Sequence, residues 1–174
     1  SGIPEPVAPT QFEQLVFRGE TMGTTYLVKL VVENEQDKTK WGDLKKQFDQ
    51  KLEDINDLMS TYRSKSAISR FNENHDTKSV PVEAEFFHVV SSALDIGKKT
   101  QGAFDITLGP LIDAWGFDKT GRHINKPSAE SIALLKPYVG LDKVTAENGS
   151  LKKKDSRVRI NLSGIAKGYA VDSI

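Results

Sequence analysis

Residues 24–60 read TTYLVKLVVENEQDKTKWGDLKKQFDQKLEDINDLMS, and the spacing of apolar side chains changes within this stretch. Over residues 24–32 the step is two. Tyr26, Val28, Leu30 and Val32 fall on one face and Leu27, Lys29 and Val31 on the other, which predicts a strand. From 41 to 60 the step becomes three to four. Leu44, Phe48, Leu52, Ile55, Leu58 and Met59 form one stripe with lysine and aspartate on the reverse face, which predicts a long amphipathic helix. The polar residues 34–40 read as a charged connector. A strand and a long helix, each with one apolar face to cover, point to an α+β domain.

Towards the N-terminus, residues 12–18 predict a second strand, and Gly19-Glu20-Thr21-Met22-Gly23 supplies a tight turn between the two. Residues 1–11, with Pro4, Pro6 and Pro9, read as a flexible, extended linker, and 12–174 as one folded region. Towards the C-terminus, Ser60-Thr61-Tyr62-Arg63-Ser64 breaks the helical pattern. Ser66 caps a short helix over 66–72, and Val80-Pro81-Val82 is extended. A second long helix over 83–100 buries Phe86, Val89 or Val90, Ala93, Leu94, Ile96 and Gly97, and Gly102 ends it in a left-handed conformation. Pro110 opens a short helix that closes near Gly116, and Ser128 caps another over 129–135 that Pro137 stops. Strands are expected over 141–146 and 158–162, with Asn148-Gly149-Ser150 as turn material between them. A helix starts near Ile165. Its apolar residues Ile165, Ala166, Ala170, Val171 and Ile174 find no packing mate in the sequence, so the helices are expected to pack on a mixed or antiparallel sheet that is incomplete at its C-terminal end.

Composition narrows the function classes. The 174 residues carry 24 Lys plus Arg against 24 Asp plus Glu, so no net positive charge is available for a phosphate backbone, and nucleic acid is not expected as a partner. There is no cysteine, which removes disulfides, thiolate metal sites and a cysteine nucleophile. No apolar run approaches the roughly 18 residues that span a bilayer. His75, His88 and His123 lack metal-ligand spacing, His88 reads as a structural helix residue, and no GxSxG elbow or HExxH occurs. Asp49, Glu53, Asp54 and Asp57 read as a solvated acidic helix face.

Three stretches have the residue types of a ligand site, and each also has a plainer reading. Asn161-Leu162-Ser163-Gly164-Ile165-Ala166-Lys167-Gly168 ends a strand and starts a helix, a junction whose free N–H groups suit a phosphate, with Lys167 adding a full charge. Equally, Gly164 and Gly168 permit close helix packing around a solvated Lys167. Gly102-Ala103-Phe104-Asp105-Ile106-Thr107-Leu108-Gly109-Pro110 could meet a flat polar ring edge-on, or Asp105 or Thr107 could simply cap the next helix. Met22 and Tyr62 could sandwich an aromatic ligand through a thioether and a phenol ring, or pack in a core.

Taken in order along the chain, ETMGTTY (20–26), MSTY (59–62) with SAISRFN (66–72), GAFDITLGPL (102–111) with Trp115-Gly116-Phe117, and NLSGIAKGYAVD (161–172) resemble the ApbE family of flavin transferases. The resemblance implies an ApbE-like α+β fold of which this sequence is the N-terminal portion. It implies an enzyme that moves FMN from FAD onto a threonine or serine hydroxyl of a target flavoprotein, releasing AMP with the help of Mg2+. An FAD pyrophosphatase giving FMN and AMP, or a non-catalytic FAD-binding module, are the alternatives. By the same resemblance Met22, Tyr62, Ala103, Phe104, Asp105, Ser163 and Lys167 line the FAD site, and the Ala166 carbonyl is a metal ligand. The other metal ligands and the catalytic residues belong to a later segment of the family pattern, so the 174-residue chain alone is expected to be inactive. Ser163-Gly164 stands where many members have two glycines. The implied partners are subunits of membrane electron-transfer complexes, and the implied location is the periplasm or outer face of a bacterial inner membrane, with a lipid anchor. An unfinished core also leaves room for a companion C-terminal chain or a second copy.

Overall fold

A computed structural model describes residues 12–117 and 126–174. The linker reading over 1–11 and His123 lie outside the described residues. The chain divides into two compact units, residues 1–53 and 54–174.

In the first unit, strands β1 (Glu13–Thr21) and β2 (Thr24–Val32) form an antiparallel hairpin of nine residue pairs, from Glu13 opposite Val32 to Thr21 opposite Thr24. The turn is tighter than the five residues expected. Only Met22 and Gly23 remain unpaired, with φ of 51° and 69°, the left-handed pair that a two-residue turn needs to match strand twist. Tyr26, Val28, Leu30 and Val32 are the covered face of β2, whereas Leu27, Lys29 and Val31 are exposed, as the alternation predicts. Phe17 packs edge-to-face on Phe48 with ring centroids 5.4 Å apart. Residues 34–40, read as a connector, instead enter a helix, α1 (Glu35–Trp41), because Asn34 Oδ1 accepts from Asp37 N at 3.0 Å and caps it. Helix α2 (Leu44–Met59) follows and runs through the boundary between the units. Asp49 is more than a solvated charge. Tyr26 donates to its Oδ1 at 2.5 Å and Lys45 to its Oδ2 at 2.6 Å, and these two bonds hold its carboxyl below the usual range.

The second unit packs helices around a small antiparallel sheet. Helix α3 (Ala67–Glu73) is capped by Ser66, whose Oγ accepts from Ser69 N at 3.1 Å. Strand β3 (Val80–Pro81) leads into helix α4 (Ala84–Lys99), which buries Phe86, Val89, Val90, Ala93, Leu94 and Gly97. Ile96 departs from the expected stripe and is exposed, and so is His88. Gln101 and Gly102 both take positive φ and end the helical run. A 3₁₀ turn at Ile106–Leu108 opens directly into α5 (Gly109–Ala114), with Pro110 in its first turn. Helix α6 (Ala129–Leu135) is capped by Ser128, and Pro137 falls in the 3₁₀ turn that follows.

The sheet departs most from expectation. Strand β4 (Val144–Glu147) pairs not with residues 158–162 but with β5 (Ser150–Lys153), immediately after the Asn148-Gly149 turn. The strand order is β3-β5-β4, all antiparallel. The sequence SLKKK has little β-branched or aromatic character, so β5 carries no propensity signal. The Asn-Gly pair alone marks it. Residues 158–162 keep the alternation, with Val158, Ile160 and Leu162 fully buried, yet they belong to no strand ladder. Helix α7 (Ser163–Ser173) begins directly after them.

Candidate functional site

The polar groups of residues 158–162 are satisfied without a strand. Asn72, at the end of α3 and 5 % exposed, donates from Nδ2 to Ile160 O at 2.8 Å and accepts from Ile160 N through Oδ1 at 2.8 Å. One side chain thus makes the reciprocal pair of bonds that a neighbouring strand residue would make. The next residue faces the other way: Asn161 N donates to Ile106 O at 2.7 Å. Asn161 Oδ1 then accepts from Ser163 N at 2.8 Å, taking the first amide of α7. The carbonyl end of α3 is held from below by Lys153 on β5. Its ammonium donates to Asn72 O at 3.1 Å and Asn74 O at 2.8 Å and lies 4.9 Å from the centre of the Phe71 ring. Lys153 is only 2 % exposed, and burial, helped by the charge of Arg159, pushes its ammonium down to about 8.

This framework brings two of the three candidate stretches side by side. Ile106 and Asn161 share a backbone bond, and the Phe104 ring rests on Gly164: a Cβ placed there would lie 3.1 Å from Phe104 Cε2. Gly168 has no such neighbour, so the close-packing role read for both glycines belongs to Gly164 alone. Asp105 does cap the following turn. Its Oδ1 accepts from Thr107 N at 2.7 Å and from Thr107 Oγ1 at 2.6 Å, and Thr107 Oγ1 in turn accepts from Gly140 N at 2.7 Å. The capping and ligand readings are compatible, because capping uses one carboxylate oxygen. Asp105 Oδ2, Ser163 Oγ and Lys167 Nζ make no hydrogen bond among the described residues. The amide of Gly164 likewise lacks an acceptor there, whereas those of Ile165 and Ala166 turn back to Leu162 O. Ser163 and Lys167 are exposed and four residues apart on α7, so they share a face. The amides of Ala103 and Phe104 are occupied by Thr100 O and Thr100 Oγ1, which leaves Ala103 a surface role.

Two candidates remain, one in each unit. Tyr62 is 64 % exposed, which rules out the core-packing reading. Met22 belongs to the first unit, on the β1–β2 turn, in a left-handed conformation that glycine or asparagine adopts more readily. A cleft of 630 Å³ lies beside the cluster, lined by Thr61, Asn72, Gly109, Tyr138, Arg159 and Asn161 among others, and none of the candidate residues lines it. Asn72 and Asn161 fall within the motif stretches 66–72 and 161–172, but nothing in the sequence signalled the framework roles of Asn72, Lys153 and Asn161. Each is an ordinary polar residue until a partner distant in sequence is known.

Magnesium requires about six oxygen ligands in an octahedron. Ala166 is the fourth residue of α7, where a carbonyl normally accepts the amide four residues on and keeps one lone pair. Among the described residues no group of three or more His, Asp or Glu converges. The Ala166 carbonyl can therefore be one ligand, but the described residues do not make a magnesium site.

A sequence profile of the ApbE family matches residues 22–174. The FAD:protein FMN transferase of Haemophilus influenzae is 37 % identical over 161 residues, which cover 90 % of this chain and 46 % of that protein. Among solved structures, the flavin transferase ApbE from Vibrio cholerae superposes with a TM-score of 0.84 at 34 % identity, covering 94 % of this chain and 52 % of that one. The apo flavinyl transferase ApbE of Pseudomonas stutzeri gives a TM-score of 0.83 at 30 % identity, covering 96 % and 52 %. The chain spans about half the length of the curated relatives it matches.

Proposed function

Because the chain belongs to the ApbE family, we propose that it contributes one wall of an FAD site in an enzyme that transfers FMN to protein. The observation that carries this reading is the contact of Phe104 with Gly164. It brings the Asp105 loop next to the start of α7, and Asp105 Oδ2, the Gly164 amide, Ser163 Oγ and Lys167 Nζ make no hydrogen bond among the described residues. That donor and acceptor set suits a diphosphate next to a polar ring edge. Tyr62, an exposed ring of the second unit, is proposed as a planar surface for the isoalloxazine.

In the proposed reaction a threonine or serine oxygen of the target protein forms a bond to the FMN phosphorus. The bond from that phosphorus to the bridging oxygen breaks, AMP leaves with the oxygen, and the hydroxyl proton passes to a base. The residues of this chain bind and orient. A fixed flavin and a held diphosphate keep the attacking and leaving oxygens in line, which is the larger part of phosphoryl-transfer catalysis. Mg2+ is proposed to assist through the Ala166 carbonyl together with oxygen donors from outside the described residues. The partners proposed are flavoprotein subunits of membrane electron-transfer complexes at the outer face of a bacterial inner membrane.

The test is equilibrium binding of FAD, followed by quenching of flavin fluorescence with and without Mg2+. Saturable binding that Asp105→Ala weakens is the expected result, and an unmodified chain that leaves FAD fluorescence unchanged overturns the reading. Incubation with a threonine-containing target peptide then separates the possible activities. Covalent flavin on the peptide marks transfer, free FMN with AMP marks hydrolysis, and retained FAD without AMP marks binding alone. The chain by itself is expected to give the last of these.

A further inference from the structure

Asn72 lies outside every ligand role considered so far, yet its side chain controls the junction on which they depend. It is buried, and both ends of its amide are spent on a single residue, Ile160, 88 positions away. Ile160 is followed directly by Asn161. The backbone amide of Asn161 fixes Ile106, next to Asp105, and its side chain fixes the first amide of α7 at Ser163. Any shift at Ile160 is therefore passed to both walls of the junction through bonds of 2.7 and 2.8 Å. We infer that Asn72 is a positioning residue of the flavin site, holding the Asp105 loop and the Ser163 end of α7 in register through its paired bonds to Ile160. This rests on the flavin-binding reading above.

The geometry explains why an asparagine serves here. A full neighbouring strand would take up the amides and carbonyls along one edge of residues 158–162. A single amide satisfies Ile160 and ends there, so the chain can turn immediately into α7. Lys153 supports the arrangement from behind by binding the backbone carbonyl of Asn72 itself, so the clamp is anchored at both its main chain and its side chain. An aliphatic residue of similar size would fill the volume and leave a buried N–H and C=O with no partner.

Asn72→Ala and Asn72→Asp test the inference. The aspartate variant keeps an acceptor for Ile160 N but, when ionised, cannot donate to Ile160 O. Amide hydrogen exchange is read first, without ligand. In Asn72→Ala exchange at Ile160, Asn161 and Ser163 should accelerate while that of the α4 core stays slow. Asn72→Asp, which keeps the acceptor for Ile160 N, should accelerate Asn161 and Ser163 more than Ile160. Unchanged exchange at all three residues in Asn72→Ala overturns the clamp. FAD affinity is read second. The dissociation constant should rise about tenfold or more in Asn72→Ala. In Asn72→Asp it should rise as well, because the carboxylate cannot donate to Ile160 O. Accelerated exchange with unchanged FAD affinity also overturns the inference, because the residue would then be purely structural. If the unmodified chain binds no FAD, the functional reading falls and Asn72 loses its role at a flavin site, whatever the exchange result.

Discussion

The molecule contains two hairpins with the same turn geometry and different chemistry. In the first unit Met22-Gly23 connects β1 to β2, and in the second Asn148-Gly149 connects β4 to β5. Both pairs have positive φ, 51° and 69° in one and 50° and 75° in the other. Asparagine tolerates this conformation because its short polar side chain bonds locally, and Asn-Gly is the preferred pair for such a turn. Methionine has no such compensation. The β1–β2 hairpin has nine residue pairs to offset the strain, while β4–β5 has four and a residue that needs no offset. A long hairpin that holds a poor turn residue is thus stable enough to place a thioether where a better turn residue would place an amide. Strain of this kind motivates a test of Met22 as a ligand contact, which the resemblance implies.

The inward faces differ as well, and the largest predicted effect comes from that difference. The first hairpin turns Phe17, Val28 and Val32 inward, whereas β5 turns Leu151 and Lys153 inward. The folded value of the Lys153 ammonium, about 8, lies below its unfolded value of 10.5. Between those values the unfolded chain binds more protons, so stability rises with pH across this window, and the penalty for burying the charge is fully present below pH 8. Urea unfolding of the unmodified chain and of Lys153→Met should therefore diverge in slope between pH 8 and 10. The unmodified chain should gain up to about 3 kcal/mol more than the variant. Parallel pH profiles would show that the lysine stays protonated in the folded state over this range, with no shift from its unfolded value.

The second effect is shared by the two turns. Gly23 and Gly149 have open space where a Cβ would sit, so substitution costs only the backbone conformation. Gly23→Val and Gly149→Val should each lose about 1–2 kcal/mol by urea unfolding. A much larger loss at one turn would mean that the two are not equivalent. The smallest effect is the exchange of the differing residue. Met22→Asn should stabilise the first hairpin by up to about 1 kcal/mol, and Asn148→Met should cost the second a similar amount. Only Met22→Asn should also weaken FAD binding in the fluorescence assay. If FAD binds equally well to that variant, Met22 is a tolerated turn residue and nothing more.

Period and capping were legible wherever structure is local. The stripe from Leu44 to Met59, the alternation from Tyr26 to Val32, and the Ser66 and Ser128 caps all appear near the positions read from sequence. Ranges such as 158–162 show the limit. Alternation reported correctly which residues are buried, but it could not report what the backbone bonds to. That depended on Asn72, a residue of α3 far away along the chain. Asp105, Ser163 and Lys167 were found through four motifs in family order, not through any property of the single residues. Structure added that Asp105 has one oxygen committed to Thr107 and that only Gly164 of the two α7 glycines is in close contact.

What the sequence determined by itself was the set of elements, the buried faces of most of them, and membership of the stretch in a known family. These follow from short-range sterics, hydrophobic spacing and motif order, all of which are written within a few residues. Tertiary structure alone decided that β4 pairs with β5, that Asn72 substitutes for a strand beside Ile160, and that Phe104 meets Gly164. The last two outcomes depend on which groups find partners across the fold, dozens of residues apart, and no local pattern encodes that choice. The β4–β5 pairing is local, but its strand carries no signal beyond the Asn-Gly turn.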